Sequence, residues 1–160
     1  MVYRGSMEVI CRILEPKDSL NYRRLRLESL QRNPESFGAK YEEQANLKKL
    51  YVEEHLEQGS NLVVMLGAFI DYELIGLCGL KMKDGNQLEI IQMYVTGNVR
   101  GQAIGQKLLN LAKSILKKRR AKNLVLTVHA DNYVAVKTYK NAGFNVQSKK
   151  GKEVIMVCEL

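Results

Sequence analysis

"VRGQAIGQKLLNLA", residues 99–112, is the stretch of sequence that decides the fold. It follows directly on the apolar run "LEIIQMYVTGN" and places an arginine and two glycines in front of a strongly helical segment. Beyond the glycines, apolar residues recur at the spacing of a single stripe on a helix. The stripe consists of Ile104, Leu108, Leu111, Ala112 and Ile115. The stretch therefore predicts a strand, a turn containing glycine and an amphipathic helix in direct succession.

The glycines and the arginine suggest an anion site at the start of this helix. The first turn of a helix presents unpaired N–H groups and the positive end of the backbone dipole. Gly101 and Gly105 remove side chains at a four-residue spacing, and Arg100 adds donors suited to phosphate oxygens. The alternative, that the glycines only serve a tight turn, stays open on these residues alone. The nucleotide P-loop and the dinucleotide-binding motif have other spacings, so neither is predicted.

Hydrophobic patterning ahead of this stretch predicts a strand, two helices and three further strands. Pro16 and Asp18 suit the start of the first helix, in which Leu20, Leu27 and Leu30 fall near one face. The sequences "DY" and "DGN" separate the last three strands and carry hairpin-turn chemistry, so these strands should run antiparallel. The predicted segments are strand 7–14, helix 15–33, loop 33–46, helix 47–59, and strands 61–70, 73–83 and 87–95.

After the helix that begins near residue 103, the sequence predicts a strand, another helix and two closing strands. The strand at 123–129 is an almost continuous apolar run, as expected in a sheet covered on both faces. Asp131 or Asn132 suits the N-cap of the following helix, and Gly143 suits its end. The order of elements predicts an α/β fold with a mixed, mostly antiparallel central sheet flanked by helices.

Length and composition indicate one globular domain, which we place at residues 7–160, with Met7 as the natural start and residues 1–6 as an addition. The content of 46% hydrophobic and 26% charged residues is that of an ordinary globular protein. No apolar run is long enough to cross a bilayer, and the amino terminus lacks the pattern of a signal peptide. We therefore expect a cytoplasmic protein without a membrane partner.

The net charge indicates the kind of partner, and the cysteines indicate whether a metal site is present. The net charge of +8 is concentrated at residues 113–123 and 147–152 and favours anionic partners, either nucleic acid or a small phosphorylated ligand. The three cysteines are widely spaced and form no C-x-x-C pair, so no metal site is predicted and buried free thiols are expected.

Residues 99–112 resemble the coenzyme A signature of the GNAT N-acetyltransferases, [RQ]-x-x-G-x-[GA], with Ala103 where the family usually has its middle glycine. A second motif of the family, N-x-x-A-x-x-x-Y-x-x-x-G-F, is matched by Asn132, Ala135, Tyr139, Gly143 and Phe144. The run at 88–95 is similar to the family's fourth strand, which splays away from the next strand. Residues 24–44 are similar to the amino-terminal segment of many small bacterial members. The resemblance thus covers nearly the whole chain from Met7.

The resemblance implies transfer of an acetyl group from acetyl coenzyme A to a primary amine, directly and within a ternary complex. Tyr139 would be the acid that protonates the leaving thiolate, and Glu89 the base, acting through a water. In plain alternation Glu89, Ile91, Met93 and Val95 would share one face of their strand. The residues implied in binding the cosubstrate are Met93, Tyr94 and Val95 for the pantetheine and thioester, Arg100, Gly101, Gln102, Ala103, Ile104, Gly105 and Gln106 for the pyrophosphate, and Asn132 and Tyr139 from the second motif.

Two other functions stay open. One is a catalytically silent sensor of acyl coenzyme A with the same pocket. The other, less favoured, is a nucleic-acid-binding module that uses residues 113–122; their basic side chains lie on the polar side of a helix, which fits a solvated face equally well.

The amine acceptor, a small molecule or a peptide, is not identified by the sequence. The resemblance places Phe37 and Tyr41 over its groove, and Glu35, Glu42 and Glu43 are the nearby acidic residues. A homodimer would be in keeping with folds of this kind.

Overall fold

The computed structural model describes residues 8–97 and 103–159, which form one seven-stranded sheet with helices on both faces. The strands run in the order β1-β2-β3-β4-β5-β7-β6 across the sheet. They are β1 (Val9–Ile13), β2 (Val63–Ile70), β3 (Glu73–Lys83), β4 (Gln87–Val95), β5 (Asn123–His129), β6 (Asn145–Lys150) and β7 (Glu153–Cys158). The α-helices are α1 (Ser19–Arg32), α2 (Tyr41–Ala45), α3 (Tyr51–Gln58), α4 (Ile104–Arg119) and α5 (Tyr133–Asn141).

The strand pairing confirms the predicted fold class. Strands β1 to β4 pair antiparallel in chain order, and both predicted hairpin turns are present. In the first turn Asp71 and Tyr72 have φ of 49° and 68°, and in the second Gly85 and Asn86 have φ of 76° and 61°. Such left-handed turns follow the natural twist of the strands they join. Among the described strands one pair is parallel, β4 with β5, and β7 and β6 complete the sheet antiparallel.

The sheet has a separate hydrophobic core on each face. On the first face α4 and α5 cover the sheet, and the predicted stripe of α4 is confirmed, with Leu108 and Ala112 fully buried. On the second face α1 and α3 cover β2, β3 and β4, around Tyr22, Leu25 and Tyr94. The two faces of the sheet beside β4 and β5 therefore carry different helices.

Two details of the amino-terminal half differ from the sequence prediction. Leu20 is 77% exposed, whereas Tyr22 and Leu25 are each 1% exposed and form the inner face of α1. Residues two apart on a helix project about 200° apart, so burying Tyr22 turns Leu20 outward. The predicted loop at 33–46 also contains the short helix α2 and a 3₁₀ turn at Pro34–Ser36.

Within residues 8–97 and 103–159, no helix is both long and apolar enough to cross a membrane. In the same ranges, no three histidine, cysteine or carboxylate side chains come together as a metal ion would require.

Candidate active site

The two strands at the centre of the sheet, β4 and β5, separate after a short paired segment. They are paired only from Gln87 opposite Asn123 to Glu89 opposite Val125. Beyond that point β4 continues to Val95 and β5 to His129 without pairing to each other. The splay predicted for β4 is therefore present, and it leaves an edge of β4 backbone facing a cleft through the sheet.

A β-bulge at Gln92 shapes the wall of this cleft. The pairing of β3 with β4 shifts between Gly79 opposite Ile91 and Leu77 opposite Tyr94, and Gln92 has a φ of 54°. Gly79 permits this close approach, because a Cβ there would lie 2.7 Å from Cγ1 of Ile91 and 3.0 Å from its carbonyl oxygen. The bulge thus depends on the missing side chain of the neighbouring strand.

The bulge also corrects the predicted alternation of β4. The extra residue reverses which face the later side chains occupy, since side chains alternate along a strand. Ile91 packs against the core under α1, whereas Met93 and Val95 pack against the core under α4. Glu89, two residues before Ile91, therefore does not share a face with Met93 and Val95 as predicted.

The first turn of α4 lies at the mouth of the splay. Helix α4 begins at Ile104, and its N–H groups at Ile104, Gly105 and Gln106 precede the first intrahelical donor, Lys107, which bonds to the carbonyl of Ala103. A Cβ on Gly105 would lie 3.5 Å from Cε of Met93 and 3.6 Å from Cγ2 of Thr138, and so would fill the space between β4 and α5. The glycine keeps this space open beside three backbone N–H groups that donate to no group in the described part of the chain.

Ala103, the N-cap of α4, is exposed and has a left-handed backbone, with φ 56° and ψ 29°. This conformation favours glycine and costs an alanine about 1 kcal/mol. Arg100, Gly101 and Gln102, the other predicted residues of this turn, lie outside the described residues.

Helix α5 forms the opposite wall of the cleft. Nε2 of Gln106 donates to the carbonyl of Thr138 at 2.9 Å, which fixes α5 against the start of α4. Asn132 is the N-cap of α5, and its Oδ1 accepts from the N–H of Ala135 at 3.2 Å. Its Nδ2 donates to no side chain or backbone group within the described part of the chain. The predicted capping role is confirmed, and the amide retains a donor.

Tyr139 follows Thr138 on α5, and it belongs to the core under α4, against which Met93 also packs. Its side chain is buried and contacts Phe144 edge to face, with the ring centroids 5.7 Å apart. Burial raises the pKa of the Tyr139 phenol, and the neighbouring Cys78 thiol raises it further. The phenol is therefore neutral, and its hydroxyl makes no hydrogen bond to the residues the structure describes.

Glu89 lies at the closed end of the splay, where β4 and β5 are still paired. Its side chain is 25% exposed, and Oε2 is 3.8 Å from Nζ of Lys83. Along an extended strand of roughly 3.3 Å per residue, Glu89 lies about 13 Å from Met93. The structure thus places Gly105 beside Met93 and Tyr139 on the neighbouring helix α5, whereas Glu89 lies farther along β4.

The sequence did not predict two contacts that join α1 to the bulge of β4. Oη of Tyr22 donates to Oε1 of Gln92 at 2.6 Å, and Oη of Tyr94 donates to Oε2 of Glu28 at 2.8 Å. Both join residues more than sixty positions apart, for which local patterning has no signal.

The residues predicted over the acceptor groove lie beyond the end of α1. Phe37 packs against the core under α1, and its ring centroid is 4.8 Å from Cζ of Arg26. Tyr41 begins α2, whereas Glu35, Glu42 and Glu43 are exposed.

Known proteins resemble this chain in sequence and in fold. The model of the Acetyltransferase (GNAT) family matches residues 22–144. The spermidine N(1)-acetyltransferase of Thermoplasma acidophilum is 34% identical over 110 residues, which is 68% of each chain. The structure of PaiA N-acetyltransferase from T. acidophilum, in complex with coenzyme A, has a TM-score of 0.81 at 27% identity and covers 96% of this chain and 100% of its own. An acetyltransferase of GNAT family from Streptococcus pneumoniae, at 19% identity, covers 96% of this chain and 100% of its own with a TM-score of 0.79, which shows the fold alone.

Proposed function

Since the chain belongs to the GNAT family of acetyltransferases, we propose that it transfers the acetyl group of acetyl coenzyme A directly to a primary amine, with both substrates bound at once. The observation that carries the proposal is the splay of β4 from β5, which has the first turn of α4 at its mouth and Tyr139 on its wall. The coenzyme A in the complex of the related PaiA enzyme supports the choice of cosubstrate.

The residues of the cleft fit an elongated anionic cosubstrate. The N–H groups of Ile104, Gly105 and Gln106 would hold the pyrophosphate, in a space that a side chain at position 105 would fill. Arg100, Gly101, Gln102 and Ala103 would complete this cradle. The backbone of β4 from Met93 to Val95 would pair with the pantetheine amides as an added strand would, and Asn132 would donate from the other wall.

The bound cosubstrate would supply the acetyl group as a thioester. The backbone N–H near Val95 would polarise the carbonyl of this thioester. Tyr139 would donate its proton to the departing sulfur. Its raised pKa keeps the phenol protonated over the whole pH range in which an amine can react.

The acceptor amine must lose a proton, because an alkyl ammonium has a pKa of about 10.4. Glu89, which lies on the α1 face of the sheet, would be the base that accepts this proton. The amine would enter from that face, because the cosubstrate would be bound at the first turn of α4, on the opposite face. Since Glu89 is about 13 Å along the strand from Met93, at roughly 3.3 Å per residue, the transfer would run through ordered water.

Thiol release from acetyl coenzyme A, measured across a panel of primary amines that includes spermidine, tests the proposal. We expect saturable turnover with at least one amine. Glu89→Gln should lower kcat about tenfold and remove the acidic limb of its pH profile, since a water-mediated base contributes less than a direct one. Glu54→Gln, an exposed change on α3, is the matched control. Saturable binding of acetyl coenzyme A without turnover of any amine would contradict the proposal and favour the silent sensor.

A further inference from the structure

Helix α1 has two inward arginines with very different surroundings. Arg23 donates to Oε1 of Glu53 at 2.6 Å and to the carbonyls of Ala45 and Leu47 at 3.2 and 2.8 Å. Its charge is therefore neutralised, and its donors are used within the fold. Such pairing is the rule for an inward guanidinium, because an unpaired charge away from water is costly.

Arg26, on the next turn of α1, is more deeply placed and lacks this compensation. The residue is 7% exposed, and among the described residues the one hydrogen bond of its guanidinium is long, 3.5 Å from Nη1 to Oγ of Ser29. Within the described part of the chain, no carboxylate oxygen lies within 4.0 Å of the guanidinium nitrogens. An arginine cannot shed its charge by deprotonation, so Arg26 is a buried cation without an anionic partner among residues 8–97 and 103–159.

The neighbours of Arg26 connect it to the bulge of β4. Tyr22 lies one turn earlier on α1 and donates to Gln92 at the bulge of β4. On its other side, the ring of Phe37 lies 4.8 Å from Cζ of Arg26. The cation thus lies on the α1 face of the sheet, from which the amine would enter. The nearest acidic residue along the chain, Glu28, instead accepts a hydrogen bond from Tyr94.

We propose that Arg26 binds a carboxylate of the acceptor, so that the acceptor is an amine that also carries a carboxylate, an amino acid or a peptide. The inference rests on the proposed function and specifies its substrate class. A guanidinium supplies two parallel donors that match a carboxylate, and the aromatic ring of Phe37 can support its outer face. A polyamine would bring further positive charge toward a cation that already lacks an anion. The inference therefore distinguishes this chain from its spermidine-acetylating relative.

A purely structural role for Arg26 predicts the opposite behaviour on mutation. If the fold needed the guanidinium, replacing it by a methionine of similar length would destabilise the protein. If the charge is held for a ligand, removing an uncompensated cation should leave the melting temperature unchanged or raise it. The variant Arg26→Met therefore separates the two roles, with Arg32→Met, an exposed change at the end of the same helix, as the matched control.

The experiment compares lysine, lysinamide and cadaverine, which share their amines and differ in the carboxylate, and adds spermidine and triglycine with a free or amidated carboxyl end. For the wild type we expect kcat/KM for lysine or triglycine to exceed that of its amidated or decarboxylated counterpart by about 100-fold. Arg26→Met should raise KM for the carboxylated acceptor about 100-fold, change kcat less than threefold and leave cadaverine unaffected. Preference for lysine over triglycine would identify a free amino acid, and the reverse a peptide.

Calorimetric binding of the same amines in the presence of coenzyme A keeps the inference testable without turnover. Binding of the carboxylated acceptor that is lost in Arg26→Met, even with no acetylation detected, would support the carboxylate site and count against the proposed activity alone. Three results would overturn the inference: preference for cadaverine or spermidine, equal losses for lysine and cadaverine in Arg26→Met, or no measurable binding of any carboxylated amine.

Discussion

Tyr22 and Gln92 are joined by a hydrogen bond of 2.6 Å, from Oη of the tyrosine on α1 to Oε1 of the glutamine in the bulge of β4. Tyr22 is almost fully buried, and burial raises the pKa of its phenol, so the donor keeps its proton. Gln92 has a left-handed backbone that a non-glycine residue adopts only at a cost. The contact therefore holds α1 against the strained residue that shapes the cleft.

The Tyr22→Phe variant tests this contact. The ring keeps its packing, while Gln92 loses its partner, so the free energy of unfolding should fall by about 1 kcal/mol. Because the bulge is then less firmly held, KM for acetyl coenzyme A should rise severalfold. Urea denaturation and steady-state kinetics measure the two effects. Tyr72→Phe, at an almost fully exposed residue, is the control, and an equal loss of stability there would show that the hydrogen bond is not the cause.

The Tyr139→Phe variant tests the acid. Loss of the Tyr139 hydroxyl should lower kcat about 100-fold, which is within the range that positioned general acids contribute. The affinity for acetyl coenzyme A should not change. Because the pKa of Tyr139 is raised by burial, the wild-type rate should show no alkaline decline from this phenol at pH values up to its ordinary pKa of 10.0. Tyr133→Phe, on the exposed side of α5, should have full activity. Unchanged kcat in Tyr139→Phe would remove the tyrosine from the mechanism.

The Ala103→Gly variant tests the strain at the start of α4. Glycine adopts the left-handed backbone of this position without a steric penalty, so the variant should gain about 1 kcal/mol in the free energy of unfolding. Its affinity for acetyl coenzyme A should be equal or higher. Ala45→Gly, in the ordinary helical backbone of α2, should instead lose stability, which urea denaturation of both variants would detect. A loss of stability in Ala103→Gly would contradict the assigned backbone strain.

The ion pair of Asp18 with Arg12 should make the free energy of unfolding depend on pH in the acidic range. Hydrogen bonds from Arg12, at 2.7 and 3.0 Å, hold the pKa of Asp18 below its ordinary value of 3.8 in the folded protein. The unfolded chain therefore takes up the proton first, so the stabilisation is complete above pH 3.8 and is lost as the pH falls through the lower folded value. Asp18→Asn should lose about 2 kcal/mol at pH 7 and depend less on pH below 4. Denaturation curves between pH 2 and 7 measure both, and parallel curves for wild type and variant would contradict the assignment.

The elements that depend on residues close together in the sequence could be predicted from it. The stripe of α4 needs only neighbouring turns, and the turn at Asp71 and the turn at Gly85 need only the residues within them. The bulge at Gln92 could not be predicted in this way, because one inserted residue on the edge of a cleft leaves the apolar run intact. Its position depends on Gly79 of the neighbouring strand, thirteen residues earlier.

The same distinction between local patterns and distant contacts applies to the candidate site. The motifs predicted the start of α4 and Tyr139 as site residues, and in the fold α4 and α5 lie beside each other next to β4. The sequence could not predict that Arg26 lacks an acidic partner among the described residues. Which acidic residues lie near an arginine depends on the three-dimensional fold. The paired Arg23 and the unpaired Arg26 belong to the same basic helix and look alike in the sequence.

Calorimetric titration with acetyl coenzyme A tests the central claim, that the first turn of α4 and the splay of β4 bind this cosubstrate. The variants are Gly105→Glu, whose side chain would fill the space beside Met93 and repel the phosphates, and Asn110→Glu, which adds the same charge to the exposed side of the same helix. We predict saturable binding by the wild type and by Asn110→Glu, and its loss in a folded Gly105→Glu. No binding by the wild type at millimolar concentration, or unchanged binding by Gly105→Glu, would contradict the account.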